Sequence, residues 1–195
     1  MSEIPYEKGR EFVEIAQSYL GSTLKFDNFW KVHEKSGRTK AFMANGRTHS
    51  YDISCAYIEK YDPIIRKPVY VEVKDRSSCN DLGGEYNEFL LRAFSVFLNE
   101  QRYKEKGEEY SHYLFFVNHP FYCSKFEKIR GMDYIRDLVE NKPDEYGIGG
   151  NYNLSQIQKF CGLVWIIIFC REPQELFFHD NNRGEIIYYL NRVHK

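Results

Sequence analysis

Apolar and polar positions alternate along Tyr51-Asp52-Ile53-Ser54-Cys55-Ala56-Tyr57 and again along Pro68-Val69-Tyr70-Val71-Glu72-Val73-Lys74. A period of two marks β-strands, because successive strand side chains point to opposite faces. In the first stretch Tyr51, Ile53, Cys55 and Tyr57 make the apolar face and Asp52 points away from it. In the second, Val69, Val71 and Val73 share one face while Tyr70, Glu72 and Lys74 share the other. Elsewhere the period lengthens to that of a helix. Phe12, Ile15, Ala16, Tyr19 and Leu20 form one stripe over residues 7–20, ended by Gly21-Ser22. Residues 85–103 are apolar on nearly every side, which predicts a buried central helix. An amphipathic helix is expected over 126–139, a short one over 154–160 and a closing one over 186–193.

Strands are expected over 26–33, 40–44 and 49–58, the first two joined by Ser36-Gly37-Arg38 and the next two by Asn45-Gly46, a hairpin dipeptide. Tyr113–Val117, Leu163–Cys170 and Glu175–His179 complete the strands, and Gly147-Ile148-Gly149-Gly150 reads as a flexible loop. Helices alternating with strands over 195 residues, with no repeat or linker, predict one domain covering 1–195: an α/β fold with a central mixed β-sheet flanked by helices.

Composition narrows the functional classes. The 43% hydrophobic and 17% aromatic content suits a packed core. No apolar run nears the roughly 20 residues of a membrane helix, and Met1–Pro5 lacks the basic start of a signal peptide, so a cytoplasmic location is expected. Five cysteines, scattered and without a Cys-x-x-Cys spacing, argue against a zinc ribbon or a disulfide framework. No His-Glu-x-x-His motif supports a histidine zinc site. The net charge is −1, but Lys31, Lys35, Arg38, Lys40 and Arg47 form a basic segment, with His33 and His49 in it and only Glu34 opposing. That segment reads either as a solvated hairpin or as a surface contacting phosphates.

The candidate chemistry is Asp52 on one strand and Glu72-x-Lys74 on the next. Acid-x-Lys alone is common; Glu140-Asn141-Lys142 is a second copy with nothing around it, and Glu72 and Lys74 also fit a solvent-facing strand stripe. Context favours a site, since each acid stands opposite an apolar face and a buried helix follows the second strand. Glu85, Glu88 and Arg92 fall on one side of that helix, as a salt-bridge set or a cleft lining.

This order, with Tyr51-Asp52 and Val71-Glu72-Val73-Lys74-Asp75-Arg76-Ser77-Ser78, resembles the PD-(D/E)xK, or restriction-endonuclease-like, nuclease superfamily over residues 7–118. Tyr51 stands where the family motif carries Pro. Lys8-Gly9-Arg10-Glu11-Phe12 is similar to the first helix of resolvase-like and Mrr-like members, which implies a Glu in the site, either Glu11 or Glu14. Oxygen ligands without Cys or His point to Mg²⁺ or Mn²⁺. Asp52, Glu72 and the Val73 carbonyl are the expected ligands, and Lys74 orients the attacking water or steadies the transition state. The resemblance implies a metal-dependent DNA endonuclease in restriction, antiviral defence or repair. Lys35, Arg38, Lys40, Arg47, Arg76 and Ser77 are expected to contact DNA. Low overall basicity leads to an expected homodimer or a place in a larger assembly. The alternatives are a nuclease of the same fold acting on RNA or branched DNA, and a non-catalytic interaction subunit.

Overall fold

The computed structural model describes residues 4–23, 25–34, 37–59, 65–75, 82–104, 109–118, 129, 131–141, 145–150 and 152–169. Along the chain run α1 (Ile4–Ser22), β1 (Phe26–Lys31), β2 (Lys40–Phe42), β3 (Thr48–Ser50), β4 (Ile53–Ile58), β5 (Arg66–Lys74), α2 (Leu82–Tyr103), β6 (His112–Val117), α3 (Met132–Asn141), α4 (Leu154–Cys161) and β7 (Val164–Ile168). The strand and helix expected near the C-terminus, over 175–179 and 186–193, lie outside the described residues.

A mixed five-stranded sheet has the order β1-β4-β5-β6-β7. β1, β4 and β5 are antiparallel neighbours, while β5, β6 and β7 run parallel. A parallel step needs a crossover, and α2 supplies it between β5 and β6. Each face of the sheet has its own core. On one, Phe12, Ala16 and Leu20 of α1 pack on Val69, Val71, Val73, Leu114 and Phe116. On the other, α2 packs with Tyr51, Tyr113, Phe115 and Phe160. The middle of α2 is apolar on nearly every side because the sheet lies on one side and Ala41, Ile135 and Phe160 come from other elements. Ring pairs such as Phe89–Phe115 at 5.2 Å and Phe94–Phe160 at 5.1 Å carry that interface. Each fully buried Phe contributes roughly 1.5–3 kcal/mol.

Two expectations need correction. The strand over 49–58 is two strands. Hairpin β2–β3 forms its own ribbon, and β1 pairs with β4 rather than with β2. The break falls at Tyr51-Asp52: the Tyr51 amide donates to Thr39 O at 3.0 Å, still in the ribbon, while Asp52 O accepts from Val32 N at 3.0 Å, already beside the main sheet. Changing partners turns the chain, so Tyr51 enters the α2-side core while Ile53 and Cys55 enter the α1-side core. A local alternation pattern contains no sign of such a switch.

The glycine loop is also not a loose one. The Asn45-Gly46 turn, with Gly46 at φ +79°, lies against it. Asn45 Nδ2 donates to Glu145 O at 3.1 Å, and Ser95 Oγ on α2 accepts from Ala44 N at 2.9 Å and donates to Tyr146 O. Ile148 is fully buried. Gly147 has φ +71°, and a Cβ there would stand 2.5 Å from Asn45 N. The hairpin is thus bonded to α2 through Ser95 and packed on the loop at a position open only to glycine. Gly147→Ala is expected to cost about 1–3 kcal/mol, lowering Tm by several degrees. Gly150→Ala has the same φ but open space around its Cβ, and is expected to cost less. Equal Tm losses for the two variants in a thermal melt would refute the close-contact account.

Candidate active site

β5 outruns its antiparallel neighbour. The β4–β5 ladder ends at the pair Ile53–Val71, whereas pairing with β6 continues to Lys74–Val117. Residues 72–74 therefore have one open edge, and an unpaired amide buried there would be costly. The Asp52 side chain fills the gap: its Oδ2 accepts from Val73 N at 2.7 Å. A strand residue's N–H and C=O point to the same side. The Val73 carbonyl consequently faces the same gap as the Asp52 carboxylate.

Glu72 lies on the opposite face of β5 from Val71 and Val73 and is only 6% exposed. Its Oε1 pairs with Lys74 Nζ at 2.8 Å, two residues on along the same face. Its Oε2 lies 3.3 Å from His49 Nε2, which β3 delivers from the hairpin. The His49 ring stands edge-on to Tyr51 at 4.6 Å, and Tyr51 stacks on Tyr70 at 4.9 Å. These rings give the acids an apolar floor, and the Tyr51 hydroxyl in it has no hydrogen-bond partner among the described residues.

The floor and the charges drive the two acids apart. Burial, followed by the nearby Glu72 charge, pushes the Asp52 carboxyl up to about 6, against the pull of its Val73 bond. Burial would also raise Glu72, but the hydrogen bonds and charges of His49 and Lys74 outweigh it and hold that carboxyl below its ordinary value. Two acids with opposed shifts in one place are a recognised mark of functional sites.

The donor atoms are of the type a hard divalent cation takes. Asp52 commits Oδ2 to Val73 and keeps Oδ1, and each Glu72 oxygen has a second lone pair beyond its present partner. With the Val73 carbonyl, these are the oxygen ligands Mg²⁺ and Mn²⁺ take. A cation would also offset the Glu72 charge that helps to raise the Asp52 carboxyl.

The remaining predicted residues are placed variously. Glu11 is exposed on α1, and α1 packs against the Val69–Val71–Val73 face, opposite Glu72. Glu14 pairs with Lys31 at 2.6 Å, and Lys31 also holds Glu34 at 2.9 Å. Donor atoms of Glu14, His33 and Glu34 lie within 4.8 Å of one another, but the Lys31 ammonium already balances that exposed group. Lys31, buried and doubly paired, leaves the basic segment expected to meet DNA. Arg38, Lys40 and Arg47 are exposed, Arg38 lying over the Trp30 ring at 5.2 Å. Lys35, Arg76 and Ser77 lie outside the described residues. Glu88 pairs with Arg92 at 2.8 Å, the helix-surface salt bridge foreseen for it.

Sequence reasoning missed His49 as a partner of Glu72. The only signal was its place in the hairpin, where it pairs across the ribbon with inward-facing Ala41.

Neither a family model nor a curated protein matches this chain. Among solved structures, it is similar to the Acinetobacter baumannii Cap4 SAVED/CARF-domain containing receptor, determined with the cyclic trinucleotide 2'3'3'-cAAA, at 17% identity and a TM-score of 0.34. The match covers 72% of this chain and 29% of that one. Likeness at this level assigns neither fold family nor function.

The Asp52 shift carries a sign for stability. Its folded-state carboxyl lies above the ordinary value of 3.8, so the folded form gains from protonation at low pH and loses that gain as pH rises through about 6. Asp52→Asn keeps an acceptor for Val73 N and removes the penalty. In EDTA the variant is expected to be more stable than wild type at pH 7.5, by about 1–3 kcal/mol, with the advantage shrinking between pH 6 and 4. A constant Tm difference across that window would contradict the burial account.

Proposed function

We propose that this chain is a metal-dependent endonuclease of the restriction-endonuclease-like class that hydrolyses phosphodiester bonds in DNA, using Mg²⁺ or Mn²⁺. The observation that carries the reading is the bond from Val73 N to Asp52, which lodges the first acid beside Glu72-Val73-Lys74 where β4 stops short. The mixed sheet with α1 on one face and the β5–α2–β6 crossover supports the same class.

Asp52 Oδ1, a Glu72 oxygen and the Val73 carbonyl would hold the cation. When bound, it supplies Lewis-acid stabilisation of the scissile phosphate and acidifies water for attack. Lys74, paired with Glu72 Oε1, would orient the attacking water and offset the charge growing on phosphorus-bound oxygens. His49 braces the other Glu72 oxygen, so the carboxylate is held at both ends before substrate arrives. The Tyr51–Tyr70 stack excludes water from the rear of the site. Water adds to phosphorus, the bond to the leaving oxygen breaks, and that oxygen gains a proton.

With a net charge of −1, the chain cannot rely on bulk attraction to DNA. A homodimer or a partner subunit in a larger assembly supplies further binding surface, and a dimer pairs two active sites for the two strands. Restriction, antiviral defence and repair are roles that suit such an enzyme.

Nicking of plasmid and degradation of single-stranded DNA are expected with Mn²⁺ or Mg²⁺ and not in EDTA. Glu72→Gln and Lys74→Ala are each expected to lower the rate by about 100-fold or more. Identical cleavage by wild type and both variants would assign the activity to a contaminant and end this reading.

A further inference from the structure

The hairpin that brings His49 inward has a second face. Its register pairs Lys40 with Ser50, Ala41 with His49 and Phe42 with Thr48. Ala41 and His49 point to the core and to Glu72, so Lys40, Phe42, Thr48 and Ser50 share the outer face. Phe42 is 63% exposed there. Exposed aromatics are common one at a time, and Tyr103 is another in this chain. The setting of Phe42 is different. Lys40 precedes it by one pleat on the same face, and Arg47 is exposed at the turn. Residues 37–51 contain no Asp or Glu. Arg102 on α2 reaches the same turn, its Nη1 donating to Ala44 O at 3.3 Å. The ribbon is bonded to α2 through Ser95 and packs closely on Gly147. Phe42 follows Ala41, the cross-strand partner of the histidine that touches Glu72, and so stands on the opposite face of the ribbon.

We infer that the outer face of the β2–β3 hairpin, turned away from Glu72, is a DNA-binding surface outside the catalytic cluster, with Phe42 stacking on an unpaired base and Lys40 and Arg47 contacting the flanking phosphates. This assigns the substrate class for the nuclease reading above, and rests on it: DNA with unpaired bases, as in single strands, gaps or forks. A ring offers a π-face to any base, so stacking is sequence-tolerant. Inside a duplex both faces of each base are covered, and inserting a ring requires unstacking a step. Strongly basic proteins offset that cost with phosphate contacts. A chain of net charge −1 with a few cations on one ribbon has little to offset it with. An already exposed base removes the cost.

The test uses the whole chain in EDTA, so that binding is read apart from cleavage. The probe is a 20-nucleotide single strand carrying 2-aminopurine, compared with the same strand in a full duplex. Wild type and Phe42→Trp are expected to bind the single strand more tightly than the duplex and to change the 2-aminopurine fluorescence. Phe42→Leu is expected to bind the single strand about 5- to 30-fold more weakly and lose the fluorescence change, with duplex binding and Tm unaltered. Equal single-strand affinity and signal for Phe42→Leu and wild type would overturn the inference, even if the enzyme cleaves DNA. Sedimentation showing a dimer that Phe42→Leu dissociates, with DNA binding unchanged, would overturn it too and give this face to a second copy. Binding as expected without Mn²⁺-dependent cleavage would uphold the stacking face and defeat the nuclease reading. Absence of any DNA binding by wild type would defeat the inference.

Discussion

A carboxylate stands in for a length of missing strand. β5 extends beyond the end of β4, and the Val73 amide left over at that edge finds its acceptor in Asp52 Oδ2 at 2.7 Å. A buried amide without an acceptor costs about 1–3 kcal/mol, so this bond spares the free edge of β5 that cost while β6 pairs its other edge. It also determines where the chain can cross from the β2–β3 ribbon to β4, since Tyr51 and Asp52 bond to opposite sides of that crossing. The same bond places one acid beside Glu72 and Lys74. Sheet termination and site assembly are thus one event.

The arrangement is costly to the fold. Glu72 is buried and Asp52 half-buried, over a floor of Tyr51 and Tyr70 rings. Burial, and after it the Glu72 charge, pushes the Asp52 carboxyl up to about 6, while the hydrogen bonds and charges of His49 and Lys74 hold Glu72 below its ordinary value. Proteins keep such electrostatic conflict where the groups have work to do. A divalent cation would convert the conflict into binding energy.

The hairpin ties these features together. Period-two alternation lets one ribbon serve two surfaces: Ala41 and His49 toward the core and Glu72, Lys40 and Phe42 toward solvent. Its anchoring contacts come from far along the chain, through Ser95 on α2 and the glycine at 147, where any side chain would strike Asn45.

Periodicity alone determined most of the elements. The apolar stripe of α1, the nearly all-round apolarity of the middle of α2, the alternation of β5 and the Asn45-Gly46 turn are local patterns, and local patterns are what a sequence displays. The pairing of Glu72 with Lys74 was legible for the same reason, because residues two apart on a strand share a face. Long-range partnership was not. Nothing local told that β1 would pair with β4 and leave the hairpin outside the sheet, that Lys31 would be buried between Glu14 and Glu34, or that His49 would meet Glu72. Those outcomes depend on which strand ends first and on which core each side chain enters once the sheet has two faces. The tertiary structure decided them, because an open strand edge and a buried charge acquire their cost, and their partners, only when distant segments pack together.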